Sequence, residues 1–290
     1  MISIIICSVN PGYLKAVSEN IKTTIGLPYE LLVTDNRNSN KGICKVYNEA
    51  AAKAKNDMLC FLHEDVCFHT MNWGQLLITI LSDKSVGLVG ISGSGYKSAY
   101  PGSWTACRKD YYRVNTIQHF KHLKGDVQTK CNPFDETESE VAVIDGVLMA
   151  GRKKIWQEHP FDEVMFAGFH GYDLDWSLSV GTNCKVVVTH RILLEHFSEG
   201  SYTKEWIASC FAVQRKWKHC LPKNILDPGK TDRVSDYIAC SSMLQHLLKT
   251  KSSKLLIANY YLQSLVFFFK ENRFRFTRVV TRYLLFNHLN

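Results

Sequence analysis

Met58-Leu59-Cys60-Phe61-Leu62-His63-Glu64-Asp65 is the stretch whose reading decides the fold class of this chain. Five apolar residues without polar alternation read as a strand covered on both faces, because a half-solvated strand alternates with period two. The run passes straight into His63-Glu64-Asp65. In open α/β sheets ligands sit beyond the carboxyl ends of the strands, so these polar side chains are expected to face a crevice. Carboxylate oxygens there suit Mg2+ or Mn2+, and Asp65 is the expected ligand. A solvated turn after a strand accounts for the same residues and stays open as the plainer reading.

The segments around this strand alternate in the same style. Ile2 to Cys7 reads as a first strand and Leu14 to Thr23 as a helix after the turn Asn10-Pro11-Gly12. Glu30 to Thr34 is a second strand, followed by six polar turn formers from Asp35 to Asn40 that cannot build a core element. Lys45 to Lys55 is Ala-rich and helical. Further on, Val86 to Ile91 and Lys185 to Thr189 are short strands, and Val141 to Met149 is a strand interrupted by Asp145-Gly146. A helix opens near Tyr172, and from Tyr202 the pattern is mostly helical, with a break around Pro228-Gly229. Gly90, Gly93 and Gly95 do not have the spacing of a dinucleotide-binding loop. The alternation predicts a layered α/β domain with a mainly parallel central sheet flanked by helices, and a helical C-terminal extension.

Composition narrows the functional classes. Of 290 residues 46% are hydrophobic and 21% charged, which excludes disordered and fibrous chains. The net charge of +8 is uneven, because residues 243–290 hold eight Lys or Arg against one acid, Glu271. A nucleic-acid enzyme spreads basic charge along its cleft, so nucleic acid is not an expected partner. The basic tail also carries aromatics: Phe267, Phe268, Phe269, Lys270, Arg273, Phe274, Arg275, Phe276 and Arg278. Such a stretch either packs on the catalytic domain or a second subunit, or lies peripherally on an anionic membrane. Ten scattered cysteines without a CxxC pair point to a reducing cytoplasm. No secretory leader is read at the N-terminus. The longest apolar stretch, Leu255 to Phe269, is interrupted by Asn259, Gln263 and Ser264 and falls short of the roughly 20 residues of a membrane span.

The order of Ser3 to Asn10, Leu31 to Asp35, Asn48 to Ala54 and Cys60 to Asp65 resembles the opening half of family two glycosyltransferases of the GT-A fold. The likeness runs over roughly residues 2 to 205. His63 stands where the family's DxD metal motif begins with Asp, which resembles a subgroup with a His-Glu-Asp version. The resemblance implies a GT-A-like catalytic domain over 1–205, with 206–290 as the helical, basic and aromatic extension. It further implies an inverting, hexosyltransferase-like enzyme that moves a sugar from a nucleotide diphosphate donor, UDP-linked, to a carbohydrate or lipid-linked hydroxyl. Surface polysaccharide synthesis on the cytoplasmic membrane face is the expected setting, with Mn2+ or Mg2+ as cofactor.

Residue roles carry over position by position. Asp35 is similar to the family's acid that contacts base or ribose, and Asn10, Asn48, His63 and Glu64 fall in the donor nucleotide region. A turn at Asp35, or mere shaping of a turn and a helix by Asn10 and Asn48, explains the same residues. Gly168 to Trp176 resembles the region whose acid takes the acceptor proton; Tyr172 stands where Glu is usual, and Asp173 inherits the role of general base. Capping of the following helix is the alternative for Asp173, with Asp175 in its first turn on the acceptor side. His196 resembles the metal-binding His of many GT-A enzymes, against a structural His. Asp145-Gly146 resembles the acceptor-side acid-Gly pair, against a bulge or tight turn. Trp104 could stack on a sugar face, whereas Trp176 is expected in the core. Two other functions stay open, a nucleotidyltransferase and a degenerate nucleotide-sugar-binding module. The first lacks support in Asn10-Pro11-Gly12-Tyr13, which is not a Gly-rich basic triphosphate loop.

Overall fold

The computed structural model describes residues 1–39, 41–120, 126–265, 277–283 and 285. Its centre is a seven-stranded sheet. The first three strands are β1 (Ile2–Ser8), β2 (Tyr29–Asp35) and β3 (Met58–Leu62), with β1 parallel to both of the others. Beyond β3 come the strand Leu148–Arg152, then β5 (Val86–Gly90), the strand Lys185–Thr189 and the short edge Glu138–Glu140. A further strand, β4 (Val66–Phe68), belongs to a second sheet. Five of the seven central strands share one direction, and Leu148–Arg152 and Glu138–Glu140 are reversed. The predicted strand Val141 to Met149 is thus broken into pieces at Asp145-Gly146, because the chain turns back there to enter the sheet antiparallel to β3.

Helices α1 (Pro11–Thr24), α2 (Ile43–Lys53), α3 (Trp73–Ser82), α4 (Lys153–Glu158) and α5 (Tyr172–Val180) cover the sheet. Each face buries its own apolar cluster: Ile5, Tyr47, Phe61, Met149 and Trp176 on one side, Ile4, Ile6, Trp73, Leu77 and Leu148 on the other. Alternate residues of β1 serve opposite faces, which is why that strand is apolar throughout. Trp176 is a core residue, as expected, and donates to the His159 carbonyl at 2.7 Å.

The second sheet crosses one end of the first in the order Val143–Ile144, Ser92–Ser94, Tyr112–His119, Leu194–His196, β4. Residues 112–119 and 126–131 pair as antiparallel strands. This sheet brings His196 beside Val66, one residue after Asp65.

Helix α6 (Lys204–Lys216) begins the C-terminal extension, but its last turn is fastened to the catalytic body. Lys216 reaches both Asp162 and Asp175, and Trp217 Nε1 donates to Asp175 at 2.7 Å. The boundary expected at 205 therefore falls inside α6. Helices α7 (Arg233–Lys249) and α8 (Lys254–Ser264) pack on α6 through Ile207, Met243, Leu244, Leu247 and Ile257. The aromatic and basic run 267–276 lies outside the described residues; Arg278 is described and exposed. Among the described residues no helix is long and apolar enough to cross a membrane. All ten cysteines are free thiols.

Candidate active site

Parallel β1, β2 and β3 end together, so Ser8, Asp35 and the His63-Glu64-Asp65 turn emerge along one edge of the sheet. A cavity of about 440 Å³ opens beside that edge, within the usual range for small-molecule sites. Its walls include His63, Trp104, Asp145, Gly146, Asp173 and His196.

One wall gathers three side chains that could hold a cation. Asp65 is 9% exposed, and its Oδ1 lies 3.6 Å from His196 Nε2 and 3.9 Å from His63 Nδ1. The three donor atoms lie within 4.8 Å of one another. His196 Nδ1 meets Gln118 Oε1 at 3.1 Å, while its Nε2 is buried without a hydrogen-bond partner. With the Nδ1 proton given to Gln118, Nε2 turns a lone pair toward a carboxylate, which is repulsive unless a cation lies between them. Burial and the facing His196 ring lower the pKa of His63 and keep it neutral. Its Nε2 sits 2.9 Å from the Tyr172 hydroxyl, whose proton points to the Gly146 carbonyl at 3.4 Å. That chain of donors leaves His63 Nδ1 as a second lone pair facing Asp65. Burial works to raise the Asp65 pKa, but Ser198 and any proton or positive charge that His196 and His63 turn toward it outweigh burial and hold the carboxyl well below the usual range; a bound cation would supply that charge in place of the imidazole protons. Two imidazole nitrogens and an ionised carboxylate fit Mn2+ or Mg2+, with imidazole favouring Mn2+.

The same cavity is lined by a carboxyl of raised pKa. Asp173 lies in the first turn of α5, and burial, reinforced by the charge of Asp145, pushes its carboxyl up to about 7. Gly171, not Asp173, holds the N-cap position, at φ 82°, while the Asp173 carboxyl takes backbone hydrogen bonds from its own N–H and that of Leu174 in the first turn. Asp145 accepts from Trp104 Nε1 at 2.7 Å and from the Val147 N–H at 2.9 Å, which fixes the indole at the cavity edge. Gly146 has no room for a side chain, since a Cβ there would come within 2.6 Å of Tyr172 Cζ. Asp65 and Asp173 therefore approach one cleft through His63 and Tyr172, although 107 positions separate them.

Several expected site residues have other duties. Glu64 turns away from the cavity and accepts from Ser8 Oγ at 2.6 Å and from the Val9 and Asn10 N–H groups at 3.0 Å. It locks the end of β3 to the end of β1. Asn10 caps α1, its Oδ1 accepting from Gly12 and Tyr13. Asn48 is taken up by the segment after α4: its Oδ1 accepts from Trp156 Nε1 and the Phe161 N–H, and its Nδ2 donates to the Phe161 carbonyl. Asp175, 3% exposed, faces Lys216 and Trp217 and leaves the acceptor side altogether. Helical geometry explains the last case, because residues two apart on a helix point to different faces. Asp35 is exposed at the end of β2, where a paired Arg37 lowers its carboxyl to about 2. Its place on the shared strand edge is compatible with a nucleotide contact. Gln118 and the segment 198–202 line the cavity without any sequence signal that singles them out.

Residues 3–216 match the glycosyltransferase-like family, and the chain belongs to it. Its fold is that of the GT-A glycosyltransferases. A solved structure of GalNAc-T7 with UDP, GalNAc and Mn2+ is similar at 12% identity and a TM-score of 0.54, covering 98% of this chain and 56% of that one. The chain thus spans little more than half the length of that protein. The mannosyltransferase PcManGT from Pyrobaculum calidifontis, in complex with GDP-Man and Mn2+, is similar at 11% identity and a TM-score of 0.48, over 99% of this chain and 87% of that one. No curated protein sequence matches the chain.

Proposed function

We propose that this protein is an inverting glycosyltransferase that moves a hexose from a nucleoside diphosphate, UDP in the first instance, to an acceptor hydroxyl. The observation that carries the reading is one cavity of about 440 Å³ whose lining includes His63 and His196 of the candidate cation trio and Asp173, whose carboxyl is held near neutrality. GalNAc-T7, solved with UDP, GalNAc and Mn2+, supports the choice of donor and metal.

Asp65, His196 and His63 would hold Mn2+ or Mg2+. When bound, that ion supplies positive charge against the departing diphosphate. Asp173 accepts the acceptor proton as the hydroxyl oxygen attacks the anomeric carbon, and the bond from that carbon to the diphosphate oxygen breaks on the far face. A carboxyl with pKa about 7 is matched to this proton transfer at neutral pH. Trp104, held by Asp145, offers a flat face for the sugar ring, and Asp145-Gly146 borders the acceptor side. Asp35 would reach the base or ribose from the end of β2. We extend the reading to surface polysaccharide synthesis on a carbohydrate or lipid-linked acceptor, at the cytoplasmic membrane face, where the basic residues of 243–290 would meet anionic lipid.

Calorimetry with UDP and Mn2+, paired with release of UDP from UDP-hexoses, tests the assignment. Asp65→Ala is expected to lose metal-dependent donor binding, and Asp173→Asn to keep binding and lose transfer. Absence of any UDP release by the unaltered protein across UDP-hexoses presented with acceptors would leave only a binding module. Sedimentation with anionic liposomes, comparing the full chain with one ending near Ser242, tests the membrane contact; equal sedimentation would refute it.

A further inference from the structure

The second sheet carries another set of metal-binding side chains on the face turned away from the cleft. In the ladder, Cys67 of β4 lies opposite Glu195, which in turn lies opposite Ile117 of the strand Tyr112–His119. Side chains two apart on a strand share a face, so His69 joins Cys67 and His119 joins Ile117 on the Glu195 side. His196 and Gln118, the neighbours of that row, point the other way, into the cavity.

The side chains meet. His69 Nε2 lies 2.8 Å from Glu195 Oε2, and His119 Nε2 lies 2.7 Å from Glu195 Oε1. Cys67 Sγ, His69 Nε2 and a Glu195 carboxylate oxygen all lie within 4.8 Å of one another. His69 is exposed and Cys67 is half-buried, so an ion can reach the group from solvent. Among the described residues the Cys67 thiol makes one hydrogen bond, a long contact of 3.9 Å to the adjacent Phe68 carbonyl.

We propose that Cys67, His69 and Glu195 form a second metal site, for Zn2+, distinct from the trio in the cleft. One thiolate, one imidazole and one carboxylate are a borderline-soft donor set that suits Zn2+ rather than Mg2+ or Mn2+, and the fourth tetrahedral position is left to water. His119 holds the second oxygen of Glu195 and orients the carboxylate from outside the coordination shell. Loading releases the Cys67 thiol proton, and His69 would meet the ion through Nε2 with its proton on Nδ1. The site lies back to back with the cleft: β4 starts one residue after Asp65, and the strand that carries Glu195 ends at His196. A bound ion would clamp together the two segments that position the cleft trio. The inference does not depend on sugar transfer.

Co2+ titration of the full-length reduced chain tests it, because the cleft trio contains no sulfur and, of the two candidate clusters among the described residues, the second is the one with a thiolate to give a cobalt charge-transfer band. One equivalent of Co2+ is expected to produce that band, and Zn2+ to abolish it by displacement. Cys67→Ser should remove the band. His69→Gln, at an exposed position that should leave the metal-free melting temperature unchanged, should weaken Co2+ binding tenfold or more. No band in the unaltered protein would overturn the proposal, as would a band that survives Cys67→Ser or an unchanged affinity in His69→Gln.

Discussion

Replacing Asp173 by Asn separates catalysis from stability in one variant. In the folded protein the Asp173 carboxyl is pushed up to about 7 from an ordinary value of 3.8, first by burial and then by the charge of Asp145. At about 1.4 kcal/mol for each tenfold change in proton affinity, ionising it in place costs about 4 kcal/mol. Solvent reaches the half-buried side chain and screens part of that, so roughly 2 kcal/mol is the working figure. Because the folded value is raised, the native state keeps a proton that the unfolded chain has already lost between about pH 4 and pH 7. Stability of the unaltered protein should therefore fall as pH rises through that window and level off above it. Asn is neutral at every pH and similar in shape. Asp173→Asn should equal the unaltered protein near pH 4 and exceed it by roughly 2 kcal/mol at pH 8. Urea unfolding at half-unit steps of pH measures the difference. Transfer, by contrast, should drop by roughly a hundredfold or more, the usual worth of a positioned base. Parallel stability curves would show that Asp173 is not held near neutrality; undiminished turnover would show that it is not the base.

Other substitutions probe the surrounding frame. Asp145→Asn removes the nearby charge and should move the acid limb of kcat/KM to lower pH; a limb that stays put would exclude electrostatic coupling to Asp173. Gly146→Ala places a methyl group against Tyr172, so a loss of about 1–3 kcal/mol in stability should accompany loss of transfer, read by thermal unfolding and UDP release. Asp175→Ala leaves Lys216 with Asp162 alone and Trp217 Nε1 without its acceptor at a buried position, and chemical denaturation should show a loss of about 1–3 kcal/mol. Glu64→Gln keeps the shape but weakens three accepted hydrogen bonds, and about 1–2 kcal/mol should be lost with the metal affinity retained.

The order of strands and helices around Met58 to Leu62 was readable because hydrophobic period and turn chemistry are local properties, and the motifs at 63–65 and 168–176 marked the strand end and the helix start that meet at the cleft. Direction of side chains was another matter. Glu64 and Asp65 are adjacent acids in one turn, yet one ties β3 to β1 and the other joins the cation trio. Asp173 and Asp175 belong to one helical turn, yet they face a cavity and a half-buried lysine. Asn48 carries a motif-like position whose amide is consumed 113 residues downstream. By itself the sequence determined the α/β framework, the strand edge where ligands gather and the residue types available there, all set by local pattern. Only the tertiary structure decided which of those side chains converge. His63, Asp65, Tyr172, Asp173 and His196 come together through sheet register and the crossing of the second sheet, contacts between distant segments that no local pattern encodes.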